Sequence, residues 1–439
     1  MQADLQNGKG IKISDINYFK VGCCTFVQPL SLAGYRLKGV IMKKNLRIKI
    51  ITAVVMLLLF IGAAILLNQP DPDEVLSSAQ KRIFAVAKVT DILSDNAAPD
   101  SWTEGRRIGE QNLEVTVLTG RYKGKVLEAV NYVNAYFNVD AKLGTRVIVR
   151  LDFNDAGELY VLSIPNYDRS SVLIIALLAF ALLMVLVGGK QGARALFGLL
   201  FTLINLWYIL IPLVLKGVSP VIATILIAAY TSAGALLMLT GFTKKTLCAF
   251  LGCVGGVIAA GVFAWLVTLM TPINGFNMSE AEEMVIRASD SPLRISGLLI
   301  SGLLLAALGA LMDTSMSIVS ALHEVYEQNP SITKKQTFKS GMNIGRDAMG
   351  TMANTLILAF VGSAFNLMIL FQIYEYPLIQ ILNSDMIVIE ILQGIAGSVG
   401  IIATTPFVSA LCAAIFKWNR KEETVKGKEH RLKKQLAEN

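Results

Sequence analysis

From Ser171 onwards the chain is almost continuously apolar, broken at intervals by short clusters of Lys, Arg, Gly, Pro and acidic residues. A bilayer core of about 30 Å takes roughly 20 residues of helix at 1.5 Å each, so runs of this length read as membrane helices. The breaks divide the region into seven predicted spans, at 171–188, 194–215, 219–240, 246–270, 294–316, 348–371 and 386–416. An eighth, from about Ile48 to Leu67, follows the basic stretch that opens at Met42. It reads as an uncleaved anchor, because no small-x-small cleavage site precedes the next domain.

Between anchor and second span the pattern changes from long apolar runs to alternation. Five segments, at 84–93, 111–120, 125–133, 145–153 and 158–166, place apolar residues at every second position, the mark of half-buried strands. GRYKGK supplies a turn between two of them and Asn154–Gly157 another. Five short strands in so few residues predict a small barrel of the OB or SH3 type. The expected fold is therefore a polytopic α-helical membrane protein of about 8 transmembrane helices, with a small β-barrel-like domain between the first and second.

Composition agrees: 54% of the residues are hydrophobic, 16% are charged, and the mean hydropathy is +0.56. The net charge of +8 would suit nucleic acid, but the bases form short clusters between apolar runs and no basic stripe interleaves with aromatics. The positive-inside rule accounts for them better. Lys190, Arg194, Lys244, Lys245, Lys334, Lys335, Lys339, Arg346 and the tail from Lys417 fall on one side of an eight-span arrangement. Glu280, Glu282, Glu283, Asp290, Glu375 and Asp385 fall on the other. Both termini are then expected in the cytoplasm and the β domain outside. The resulting division is 1–41 as an upstream extension or cytoplasmic tail, 42–69 as the anchor, 70–168 as the β domain, 169–418 as the membrane domain and 419–439 as a basic tail.

The most polar part of the membrane domain is Gly309 to Gly362, read as two membrane helices joined by a polar hairpin. On a helix, Asp313, Ser317, Ser320 and Glu324 share one face, and Asn343, Asp347, Gly350 and Asn354 repeat that spacing on the next segment. Glu390, Gly394, Gly397 and Thr404 share a face in the last run, which Thr404, Thr405 and Pro406 are expected to interrupt. These seams are expected to face one another as a proton or ion path, since acids at membrane depth are costly and mark function. Simple helix–helix hydrogen bonding is the plainer reading of the same residues. Gly252, Gly256 and Ala260, spaced by four, read as a close helix contact.

Enzyme chemistry finds no foothold. The chain lacks a P-loop, a G-x-S-x-G and an H-E-x-x-H, and its cysteines show no metal spacing. His323 and His430 are its only histidines. No cofactor, metal or nucleic-acid partner is expected. The expected partners are the bilayer, protons or cations, a protein at the β domain, and a second copy in a homo-oligomer.

The stretches GALMDTSMSIVSALHEV and GMNIGRDAMGTMANTLILAFVG resemble the signature region of the YibE/F-like family of bacterial multipass membrane proteins. The resemblance extends over roughly Met42 to Lys417 and implies architecture and a bacterial plasma-membrane location, but no functional residues. In outline the plan is also similar to SecD/SecF and RND-type proton-driven proteins, from which it departs in span count and in the small size of its exterior domain. The function expected is a secondary or ion-coupled permease. The alternative is a non-transporting assembly or export accessory whose β domain binds a partner.

Overall fold

The computed structural model describes residues 56–68, 82–154, 158–278, 280–287 and 292–416. Residues 1–41, the first part of the anchor, all of the Asn154–Gly157 turn except Asn154, and the basic tail lie outside the described residues.

The alternating segments form β1 (Arg82–Asp95), β3 (Arg107–Val117), β4 (Val126–Val133), β5 (Arg146–Phe153) and β6 (Leu159–Tyr167), with a two-residue strand β2 (Ala98–Pro99) added at the edge of β3. The order is β1-β5-β6-β4-β3-β2, and a further pairing of β1 with β3 closes the five main strands into a small barrel. All main pairings are antiparallel except β4 with β6, which run parallel. Val89, Leu113, Val115, Val117, Val147, Val149 and Leu151 are all at most 1% exposed and fill the interior. Val115 and its alternating neighbours are buried because the pleat sends every second side chain inward.

The membrane part begins two residues after β6. Its helices are α2 (Ser170–Asn205), α3 (Ile211–Leu215), α4 (Pro220–Thr240), α5 (Lys244–Met270), α6 (Ala281–Arg287), α7 (Leu298–Gln328), α8 (Lys334–Ser363), α9 (Phe365–Ile373), α10 (Leu378–Leu382) and α11 (Asp385–Ile415). Before the barrel, α1 (Met56–Leu67) is the described part of the anchor. It docks on a π-helical turn at Leu206–Leu210 and on α4, with Asn68 Nδ2 donating to Tyr208 O at 2.9 Å and Tyr230 OH to Met56 O at 2.8 Å.

Five helical stretches are long and apolar enough to cross a membrane, and α8 with α9, bent by 51°, makes a sixth. The longest of the five, Ser170–Leu215, is 46 residues and holds a break at Gly189, whose φ of 54° and ψ of −134° are open only to glycine. Beyond the break the chain folds back, for a Cβ on Gly192 would overlap the Met184 carbonyl, eight residues earlier. In a continuous helix those positions would be about 12 Å apart.

Two expectations change here. The polar hairpin at Gly309–Gly362 is mostly helix: α7 continues to Gln328 and α8 starts at Lys334, leaving only a short link. The link is sharp because Thr333 and Gln336 form a reciprocal capping box that starts α8. The last run is likewise unbroken, since α11 carries Pro406 inside a continuous helix. A proline there costs one backbone bond, and the packed faces of α5, α7 and α8 hold the helix through it.

Candidate functional site

α7 divides cleanly into two faces. Leu304, Leu311, Ser315, Ile318 and Leu322 are buried against the bundle. Gly302, Ala306, Gly309, Asp313, Ser317 and Glu324 are exposed on the opposite side, with Ser320 half-buried beside them. A Cβ built at Gly302 or Gly309 would have nothing within 4 Å, so this stripe of small and polar residues is open along its length. Asp313 is the middle residue of the 31 in α7, and among the described residues it has no hydrogen bond or ion pair. Glu324, near the C-terminal end, accepts from Gln328 Nε2 at 3.3 Å.

α8 repeats the division. Thr337, Gly341 and Gly345 are buried, whereas Asn343, Asp347, Gly350 and Asn354 are exposed. Glycine lets this helix press onto α11, with Gly341 against Ser409 and Gly345 against Thr405. α11 behaves differently: Gly394, Gly397 and Thr404 are buried, and Glu390 is half-buried with its Oε2 accepting from Ser363 Oγ at 3.0 Å.

The three seams therefore do not face one another. The seam of α11 enters the bundle, those of α7 and α8 lie on their open sides, and among the described residues no hydrogen bond joins a member of one seam to a member of another. Close packing decides this, because small residues let backbones approach, while an acid or amide placed inside without partners would lose its hydration. What holds the bundle is a set of small residues and hydroxyls that includes Thr404 of the α11 seam. Gly256 of α5 meets Thr404 and Gly400 of α11, and Gly252 meets Val408 of α11 and Ser315 of α7. The spacing of Gly252, Gly256 and Ala260 pointed to that contact. The equivalent spacing of Gly341 and Gly345 is the corresponding signal in α8. Ser315 Oγ and Thr405 Oγ1 are buried there without hydrogen-bond partners among the described residues.

A second polar cluster lies at the end of the barrel where β3 begins, its charged groups partly exposed over the buried Gln111 and Asn131. Arg107 donates to Asp95 Oδ1 and Asp140 Oδ1, both at 2.7 Å, and to Ala97 O. Gln111, wholly buried, donates to Asp95 Oδ2 at 3.1 Å and accepts from Asn131 Nδ2 at 2.9 Å. The Arg107 guanidinium, hydrogen-bonded to Asp95, holds that carboxyl below the usual carboxylate range. The cluster clamps the β4–β5 loop onto β3. Among the described residues no three His, Cys, Asp or Glu side chains converge as a metal site.

A family model described as YibE/F-like protein matches residues 176–418, more than half of the chain. The match begins inside α2 and ends just beyond α11, so it takes in the seams of α7, α8 and α11 and leaves the barrel and anchor outside. No curated protein and no solved structure matches the chain.

Proposed function

We propose, for a chain that belongs to the YibE/F-like family, that it is a multi-pass permease without enzymatic activity, moving a solute in exchange or symport with protons or cations through Asp313. The observation that carries this reading is the position of Asp313, at the midpoint of a membrane-length helix, on its open face and without a partner among the described residues. A carboxylate facing lipid is expensive, and an ionisable group at that depth marks a substrate or ion path by default. A carboxyl there is tolerated neutral and favoured charged only where water or a cation reaches it, so loading and unloading would change which environment it prefers. Its oxygens also suit hard cations. Ser317, Ser320 and Glu324 extend the stripe towards one end of α7, and Asn343, Asp347 and Asn354 line α8 in the same manner. Glu390, with its Ser363 contact, would serve at the other end.

The topology that goes with this reading has eight spans in a bacterial cell membrane: α1, the two halves of Ser170–Leu215 on either side of Gly189, α4, α5, α7, α8 with α9, and α11. Lys190 and Arg194 beside the break, Lys244 and Lys245 at the start of α5, and Lys334, Lys335 and Lys339 at the start of α8 support a cytoplasmic side shared with both termini. The barrel then lies outside the cytoplasm.

The test is reconstitution of the full chain in liposomes carrying a luminal pH dye, with imposed gradients of H+, Na+ and K+. Wild-type flux that D313N abolishes supports the permease. Full flux in D313N overturns it. Absence of flux under every gradient, with a protein captured reproducibly by the barrel, would move the reading to the assembly or export accessory.

A further inference from the structure

The barrel carries large aromatic side chains where a soluble domain would not place them. Trp102 and Tyr136 are each 93% exposed, and Phe137 is 61% exposed. They are not on loose segments. Tyr136 N and Phe137 N both donate to Asn134 Oδ1, at 2.9 and 2.7 Å, and Asn138 Nδ2 donates to Arg107 O at 2.8 Å. Arg106 Nη1 reaches Ala135 O at 3.4 Å, which ties the short 3-10 turn bearing Trp102 to the loop bearing Tyr136. The arginine cluster beneath clamps the same loop. Ordered backbone that displays fully exposed rings marks an interaction surface.

Strand direction fixes which end of the barrel this is. β4 runs parallel to β6, and the Tyr136 loop follows the C-terminal end of β4. β3 begins opposite that same end, with Gly109 paired to Val133, so the Trp102 turn lies there too. β6 also ends there, and Tyr167 OH donates to Asp140 O of the loop at 3.0 Å. Only Asp168 and Arg169 separate Tyr167 from the start of α2. Val172, Leu173, Ile174 and Ile175 are 69%, 59%, 56% and 66% exposed, apolar on every side of the helix, so hydrocarbon begins within its first turn. Three residues of extended chain reach only about 10 Å. The aromatic end of the barrel is therefore held at the polar boundary of the bilayer that α2 enters.

We propose that Trp102, Tyr136 and Phe137 form an aromatic foot that seats the barrel in the phospholipid headgroup layer. Trp and Tyr favour that layer because an apolar ring and a polar tip can each find their own surroundings. Basic residues flank the foot: Arg169 stacks over Tyr167 at 5.9 Å, and Arg106 and Lys142 lie on the two loops. The remaining exposed aromatic of β6, Tyr160, sits at the opposite end of the strand and is the internal control, at 78% exposed.

The experiment uses the full chain in phosphatidylcholine–phosphatidylglycerol vesicles, with tryptophan fluorescence read against aqueous iodide and against phosphatidylcholine brominated near the headgroup. The contribution of Trp102 is the difference between wild type and W102F. Y136W and Y160W are each introduced into W102F. The expected result is that Trp102 and Y136W are quenched several-fold more by bromolipid, and several-fold less by iodide, than Y160W. Iodide quenching at 102 and 136 equal to that at 160 would overturn the proposal. So would protection from both quenchers, which would place another protein surface over the foot. All three positions are exposed, so the substitutions leave the barrel core untouched.

Discussion

Gly256 of α5 and Gly400 of α11 meet backbone to backbone: a Cβ on either would stand 3.1 Å from the carbonyl oxygen of the other. At Gly256 the added atom would also overlap Thr404 Oγ1, whose hydroxyl is already given to Gly400 O at 2.9 Å. Neither backbone nor a committed hydroxyl moves cheaply. Gly256→Ala should destabilise the bundle by about 1–3 kcal/mol, the usual cost of overpacking, and Gly256→Val by more. Thermal unfolding in detergent measures this. Wild-type stability in Gly256→Val would mean that α5 and α11 do not cross at these residues.

That crossing also indicates what could be read from the chain in advance. Alternation located all five main strands, and apolar length located the five membrane-length stretches and the bent pair α8–α9, because pleat and helix pitch write themselves directly into residue order. The spacing of Gly252 and Gly256 marked a contact without naming Thr404 as the partner, since partners depend on which helices are neighbours. The polar residues misled in a specific way. Asp313 and Asn343 share a face with their fellows as expected, yet those faces look away from the packed core. Periodicity says which residues stand together on one helix, and it is silent on where that side points. Pro406 misled similarly, because its effect on α11 depends on neighbouring helices.

The break at Gly189 makes its own prediction. Its φ of 54° and ψ of −134° would strain any side chain by about 1–3 kcal/mol. Gly189→Ala should lower thermal stability by that order, and Gly192→Leu should be worse, because its side chain would enter the Met184 carbonyl. Unchanged stability in both variants would show a continuous helix through this region.

Asp313 and Gly345 should separate function from packing. Among the described residues Asp313 has no hydrogen bond or ion pair to lose, so D313N should keep stability within about 0.5 kcal/mol of wild type, as open positions do. Gly345 is pressed against Thr405, so Gly345→Leu should cost about 1–3 kcal/mol or more. Comparing unfolding in the same detergent decides the matter. A large loss in D313N would make Asp313 a structural residue and remove the ground for assigning it transport.

The barrel cluster predicts a pH dependence with a definite sign. Asp95 takes hydrogen bonds from Arg107 and Gln111, which favour its charged form and hold its pKa below the ordinary 3.8. A carboxyl whose folded value is depressed stabilises the fold at pH above its unfolded value, and that contribution disappears as pH falls through the folded value. The barrel should therefore lose protection from hydrogen exchange in residues 107–117 as pH is lowered below about 3.8. D95N should be less protected than wild type at neutral pH, because Arg107 loses a charged partner, and should show a flatter decline on acidification. R107K should also lose protection near neutrality, since an ammonium cannot reach Asp95, Asp140 and Ala97 O together as the guanidinium does. An acid decline in D95N as steep as in wild type would assign the dependence to a carboxyl other than Asp95.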